Sequence, residues 1–224
     1  DSGMHRAGVQ PGTPAVTLAR QVQETRGLRL RGIMGWEGHT PDIEDPERKR
    51  LEIGRAVGLL AETAKLLRES GHPPDIVSCG GSGTLTVSAR LPGVTEIQAG
   101  GAIFSDVTYR KWGAPTQPAL FLRSTVTSRP VPDRIICDAG FKTMPTWAES
   151  PEALGITGVR EYGRSAEHGV LRLSVPDHRT RVGDTLDFIP AYGDSTVFLH
   201  DRLYGVRDGR VEAVWVIEGR SRMR

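Results

Sequence analysis

The 224 residues predict an α/β portion followed by an all-β portion, and three observations carry that prediction. Residues 1–116 alternate strand-like with helix-like segments, the pattern of a parallel sheet whose crossovers are helices. From about residue 117 the texture changes to short β-branched or aromatic runs separated by Gly, Pro and Asp, which is the pattern of a β-barrel or sandwich over 117–224. Two glycine-bearing stretches of the first portion, "CGGSGT" and "QAGGA", each follow directly on a predicted strand.

The elements are punctuated in order. Thr13 reads as an N-cap with Pro14 at the first helical position, Ala15, Leu18, Ala19 and Val22 form one apolar stripe, and Gly27 reads as the stop. "LRLRGIMGW" reads as a strand. A second helix starts at Asp45-Pro46, carries Ile53, Val57, Leu60, Ala64 and Leu67 on one face and stops at Gly71. "IVSCGGSGT" then runs from strand into turn, and "VTEIQAGGAIF" repeats that plan with a second glycine pair. Beyond 117, "SPEAL" is the one stretch with helical character, and "YGVRDGRVEAVWVI" reads as a hairpin turning at Asp208-Gly209. The first portion offers about four strands where a closed (β/α)8 barrel needs eight and typically ~250 residues. A partial (β/α)8 barrel is therefore expected, its remainder on another chain or ahead of Asp1.

Composition narrows the function classes. Lys and Arg number 29 against 27 Asp and Glu, so the chain lacks the basic excess of a nucleic-acid binder. Its two cysteines, Cys79 and Cys137, have no ligand-like spacing and form no disulfide framework, which suits a reducing cytoplasm. No apolar run approaches the ~18 residues of a membrane span, and no basic-then-apolar leader opens the chain. A cytoplasmic protein with neither membrane nor nucleic-acid partners is expected.

Chemistry concentrates where strands end. In a parallel barrel the turns Cys79–Thr84 and Gln98–Ala102 fall on the C-terminal rim, where backbone N–H groups hold phosphates. Glycine permits close approach, and Ser82 and Thr84 add hydroxyl donors. Tight-turn structure alone also accounts for such glycines. Arg6, read as the end of a strand in the same layer, can donate in a fixed fork to a phenolate, carboxylate or phosphate, or be a surface arginine near a helix start. His5 reads as packing or support. Trp36 and His39 could flank a flat ring, or serve the core.

"DSGMHRAGV", "CGGSGT", "VTEIQAG", "DAGFKT", "SAEHGVL" and "GDTLDFIPAYGDSTVFLHDRLYGVRDGRV", in that order along nearly the whole chain, resemble the later portion of the D-threonine aldolase and D-serine dehydratase-like family. The resemblance implies a pyridoxal-phosphate enzyme with the alanine racemase type of barrel at 1–116 and a C-terminal β-domain at 117–224. It implies that Arg6 sits near the cofactor's phenolic oxygen, that Ser82, Gly83, Gly100 and Gly101 hold its phosphate, and that Gln98 partners the pyridine nitrogen. Trp36 matches a ring-stacking position loosely. A neutral partner does not enforce pyridine protonation as a carboxylate does, so the ring is the weaker electron sink.

Two departures from the family pattern matter. The lysine that holds the cofactor aldehyde lies, in the family, on a strand with no counterpart here. The four lysines present, Lys49, Lys65, Lys111 and Lys142, match no lysine motif, with Lys49 and Lys65 read as solvated on the long helix. The family's metal-binding His is replaced by Tyr192, with Asp194 keeping the carboxylate. A phenol with a pKa near ~10 is a poor substitute for imidazole, which leaves zinc or manganese doubtful. The resemblance thus implies a lyase of β-hydroxy D-amino acids, by retro-aldol cleavage or dehydration, inactive as this stretch alone for want of the lysine. It leaves room for racemase-like proton transfer with Tyr192 as acid or base, and for a non-catalytic relative completing a barrel in trans. A homodimer is implied by the same analogy.

Overall fold

In the computed structural model, which describes residues 1–145, 147, 149–220 and 222, the first helix, α1 (Thr13–Glu24), differs from the sequence expectation at both ends. Gly12 takes the cap position at a φ of 83°, and Thr13 is already helical. The Thr25 hydroxyl donates to the Gln21 carbonyl (2.6 Å), which closes the helix before Gly27 is reached. Of the expected stripe, Ala19 is buried and Leu18 is exposed.

Strand β1 (Gly32–Met34) is shorter than the run "LRLRGIMGW" suggests. Helix α2 (Pro46–Glu69) starts as expected, the Asp45 carboxylate accepting from Arg48 N at 2.6 Å. Such a cap is worth ~1 kcal/mol. Its stripe Ile53, Val57, Leu60, Ala64 and Leu67 is buried throughout. Strand β2 (Ile76–Cys79), helix α3 (Leu85–Ser88), strand β3 (Glu96–Ile97), a 3-10 turn (Gly100–Ile103) and helix α4 (Val107–Lys111) follow. Strands β1, β2 and β3 form one parallel sheet in that order, so three strands stand where about four were expected. Ile53, Val57, Leu60 and Ala64 pack with Val77 and Cys79 into a core that Ile33, Val87, Leu91, Val94 and Ile97 partly flank. Burying each large aliphatic side chain there contributes ~1.5–3 kcal/mol. Burial first, then the nearby Glu37 carboxylate, push the Cys79 thiol up to about 12.

Residues 1–103 and 109–116 make one unit, and 104–108 with 117–224 make a second. Segment 104–108 joins the second because Val107 N and Thr108 N donate to the carbonyls of Pro190 and Ala191 (both 3.1 Å). The second unit contains β4 (Leu122–Val131), β5 (Arg134–Cys137), β6 (Glu152–Ala153), β7 (Val159–Arg164), β8 (Gly169–Leu173), β9 (Thr185–Ile189), α5 (Gly193–Val197), β10 (Arg202–Arg207) and β11 (Arg210–Val216). Six strands form an antiparallel sheet in the order β6-β9-β4-β5-β8-β7, while β10 and β11 pair in a separate ribbon. That ribbon turns at Asp208 and Gly209, both at positive φ (49° and 74°), as a two-residue hairpin requires. "SPEAL" is not helical. Glu152 and Ala153 pair instead with Ile189 and Phe188, because a sheet edge satisfies their backbone where a five-residue helix could not. Conversely, the short α5 carries no apolar stripe and was not expected. The core is built by alternate positions of facing strands, Leu122, Val126, Ile135, Cys137, Leu171, Leu173, Leu186 and Phe188, with the Tyr162 phenol donating to the Ala139 carbonyl.

Leu171→Ala removes a side chain with no exposure from this core, and we expect a loss of ~2–5 kcal/mol in urea unfolding. The raised Cys79 thiol adds a pH dependence. It stays protonated in the fold where the unfolded thiol ionises, so its stabilisation is complete below pH 9.0 and is lost as pH climbs toward about 12. Urea midpoints measured across that range should fall with rising pH, less steeply in Cys79→Ala.

Candidate functional site

Parallel register puts the C-terminal ends of β1, β2 and β3 on one side of their sheet, with Met34 opposite Ser78 and Ser78 opposite Glu96. The ladder continues one residue further, Gly35 N donating to Ser78 O and Gln98 N to Cys79 O, each at 3.0 Å. Trp36 and Glu37, the Gly80–Thr84 turn and the Gly100–Gly101 pair therefore emerge from the same rim. The opening segment joins them. It holds no strand, contrary to expectation: the Asp1 carboxylate accepts from Gly3 N (3.0 Å) and His5 N (2.9 Å) and pairs with the exposed His5 ring (3.1 Å). Ser2 lies against Gly35, whose added Cβ would stand 3.1 Å from Ser2 Oγ. This sets the Arg6 guanidinium over the Trp36 ring, 4.9 Å from its centroid. His39 is exposed and packs against Gly3.

The Gly80–Thr84 turn is organised from behind by Glu37, which is 1% exposed. Glu37 Oε2 accepts from Gly80 N (3.2 Å), and Oε1 accepts from the hydroxyls of Thr84 (2.7 Å) and Ser88 (2.5 Å). Thr84 Oγ1 in turn accepts from Gly81 N (3.0 Å). Thr84, expected to face a ligand, is thus turned inward, since its hydroxyl satisfies a buried carboxylate. Gly80 has a φ of 78°, a conformation open to glycine at little cost. Among the described residues, no protein acceptor takes the amides of Ser82 and Gly83. Two buried side-chain donors at this turn also lack an acceptor, Ser82 Oγ and Trp36 Nε1, and a Cβ on Gly81 would lie 2.8 Å from the latter.

On β3 and beyond, Gln98 Nε2 donates to Ser78 Oγ (2.7 Å), which donates to Glu96 Oε1 (2.6 Å). Gly100 opens onto free space, but Gly101 does not: an added Cβ would lie 2.1 Å from the buried Tyr109 ring. The missing side chain at Gly101 serves packing against an aromatic.

In the second unit Asp106, 1% exposed, accepts from Gly193 N at 2.7 Å and so fixes the turn that carries Tyr192 and Asp194. The Tyr192 ring stacks with Trp147 at 4.6 Å, and Asp194 is exposed. The described residues contain no cluster of three His, Cys, Asp or Glu side chains placed to hold a metal ion. A phenol at residue 192 beside the Asp194 carboxylate is a weak donor pair for zinc or manganese.

Of the lysines, Lys65 and Lys142 are exposed and pair with Glu69 (3.8 Å) and Glu167 (2.5 Å). Lys49 is not solvated as expected. Its Nζ donates to the carbonyls of Pro41 (2.9 Å) and Trp112 (2.7 Å), and burial lowers its pKa from the usual lysine value.

The rim of the first unit therefore offers an anion two backbone amides, a hydroxyl and an indole N–H that the protein leaves unsatisfied, with a guanidinium above the indole. Buried donors without acceptors are costly, and a phosphate oxygen relieves that cost. The residues present fit a phosphate-bearing aromatic cofactor. Sequence reasoning missed Glu37 and Trp36 Nε1. The signal for the first was an acid set between Trp36 and Gly38 just past a strand, where a solvated loop charge is the ordinary reading.

Residues 1–107 match the alanine racemase N-terminal domain, and residues 119–206 match a putative serine dehydratase domain. A D-threonine aldolase from an Arthrobacter species is 34% identical over 99% of the chain, and a 3-hydroxy-D-aspartate aldolase from Paracoccus denitrificans is 28% identical over the same share. The chain spans 59% of the length of each of these relatives. The crystal structure of D-threonine aldolase from Filomicrobium marinum superposes on the whole chain with a TM-score of 0.94 at 30% identity, the chain covering 62% of it. The fold is alanine racemase-like, an α/β first part followed by a mostly antiparallel sheet, and with both domain matches in order along one sequence the chain is a homologue of D-threonine aldolase over its whole length.

Proposed function

We propose that the chain is part of a pyridoxal-phosphate-dependent lyase that acts on β-hydroxy D-amino acids. One observation carries this reading above the others: the Ser82 hydroxyl and the Trp36 indole N–H, both buried without an acceptor, meet at a turn whose Ser82 and Gly83 amides are also uncommitted. Relatives named as D-threonine aldolase and 3-hydroxy-D-aspartate aldolase support the substrate class.

On this reading Ser82, Gly83, Gly100 and Gly101 bind the cofactor phosphate, and Trp36 adds its N–H to the same group. Arg6 donates to the phenolic oxygen and is held in place by the Trp36 face. Gln98 faces the pyridine nitrogen, its amide oriented by Ser78. The bound cofactor supplies an electron sink for the bond broken at the substrate's α-carbon. Tyr192 holds or moves a proton at the substrate, its phenol backed by the Trp147 ring. No step is assigned to a metal ion. The lysine that retains the cofactor lies outside these 224 residues, in a (β/α)8 barrel of which β1, β2 and β3 are a part, with residues 117–224 as the β-domain. By analogy with the racemase relatives, the protein works as a cytoplasmic homodimer.

A second reading, racemase-like proton transfer, is favoured by Tyr192 standing where the family has a metal-binding His. Products separate the two. A lyase gives glycine and an aldehyde, or a 2-oxo acid and ammonia, from D-threonine or D-3-hydroxyaspartate; a racemase converts D- into L-amino acids. The protein encoded by the complete reading frame, assayed with these substrates, decides between them, and loss of turnover in Tyr192→Phe with cofactor binding retained supports the role of Tyr192. For the site itself we expect Ser82→Ala to weaken pyridoxal-phosphate binding about tenfold or more, the size of one charge-assisted hydrogen bond. Fluorescence titration of Trp36 and its neighbours measures this, and an unchanged affinity would count against the phosphate assignment.

A further inference from the structure

We propose that Glu37 is the positioning residue of the anion site: a buried carboxylate that binds nothing itself and determines which donors of the Gly80–Thr84 turn face the ligand. The identity of that ligand rests on the reading given above; the positioning argument stands on geometry.

The turn carries five backbone amides and two hydroxyls between residues 80 and 84. An unanchored glycine-rich turn can point any of them outward. Here four of those seven groups have a partner within the protein. Gly80 N donates to Glu37 Oε2 (3.2 Å), Gly81 N to Thr84 Oγ1 (3.0 Å), and Thr84 N to Gly81 O (3.1 Å). The Thr84 hydroxyl has a single proton and gives it to Glu37 Oε1 (2.7 Å), which orients its lone pairs toward Gly81 N. Ser88, fully buried on α3, supplies a third donor to the carboxylate (2.5 Å). What remains is Ser82 N, Gly83 N and Ser82 Oγ. Glu37 therefore withdraws Gly80 and Gly81 from the ligand, directly and through Thr84, and locks the turn with its remaining donors uncommitted.

The charge makes the proposal sharp. A carboxylate behind an anion site repels the anion, so if electrostatics dominated, removing the charge would tighten binding. Positioning predicts the opposite sign. In Glu37→Gln one carboxylate oxygen becomes an NH2 group, which sets a donor against the Gly80 N–H or against the hydroxyl pair, and the turn loses its single arrangement.

The test uses the protein encoded by the complete reading frame with three probes: pyridoxal phosphate, pyridoxal and inorganic phosphate. Glu37→Gln should weaken binding of pyridoxal phosphate and of phosphate by about tenfold, the scale on which supporting groups act on a bound ligand, with little change for pyridoxal. Amide hydrogen exchange without ligand should speed up at Gly80 and Gly81. Thr84→Val should reproduce part of both effects and Thr84→Ser should restore them, a pair that decides the matter if Glu37→Gln fails to fold. Equal or tighter phosphate binding in Glu37→Gln overturns the proposal, and so does an equal loss for pyridoxal, which would mark a general structural role. If the wild-type chain binds none of the probes, the cofactor reading fails by itself. Exchange at Gly80 and Gly81 then decides the anchoring, unchanged rates in the variants overturning it.

Discussion

A buried carboxylate hydrogen-bonded by three donors, Glu37, is the constraint on which the rim of the first unit depends. Burying a charge is unfavourable unless its lone pairs are filled, and the filling here comes from residues 80, 84 and 88, brought to Glu37 by parallel pairing of β1 with β2. Fold and site are thereby coupled. The same interaction that makes the charge tolerable gives the glycine turn one shape, and that shape leaves Ser82 Oγ buried without an acceptor.

The second unit uses the same device on a different scaffold. Asp106, buried, accepts from the amide of Gly193 and holds the turn bearing Tyr192 and Asp194. Thr108 Oγ1 donates to the Ala191 carbonyl (2.7 Å), so segment 104–108 acts as a strut along 190–193. In both units a buried acid grips a glycine amide and so fixes the backbone on either side of it. Precision at a loop requires such support, because loop backbone by itself samples many arrangements.

Aromatic packing explains glycines that a phosphate motif would otherwise claim. Gly101 is required by Tyr109 and Gly81 approaches Trp36, while Gly100 faces open space. A glycine pair after a strand therefore mixes two pressures, close approach of a neighbouring ring and exposure of an amide.

The amino-acid sequence by itself determined the elements that local rules govern. Helix α2, with Asp45, Pro46 and a stripe from Ile53 to Leu67, follows from capping and a repeat of three to four residues, and the β10–β11 hairpin from two positive-φ positions at Asp208 and Gly209. The order of family-like motifs was legible too, and with it the residues to inspect. Tertiary structure alone decided the rest. Glu152 and Ala153 became strand because β9 offered partners, Lys49 turned inward to two carbonyls, and Thr84 faced Glu37 instead of a ligand. Apart from the Pro41 carbonyl, eight residues from Lys49, these partners lie across 35 to 63 residues of chain, and a partner at such separations is set by burial and hydrogen-bond satisfaction in three dimensions, for which a local pattern carries no signal.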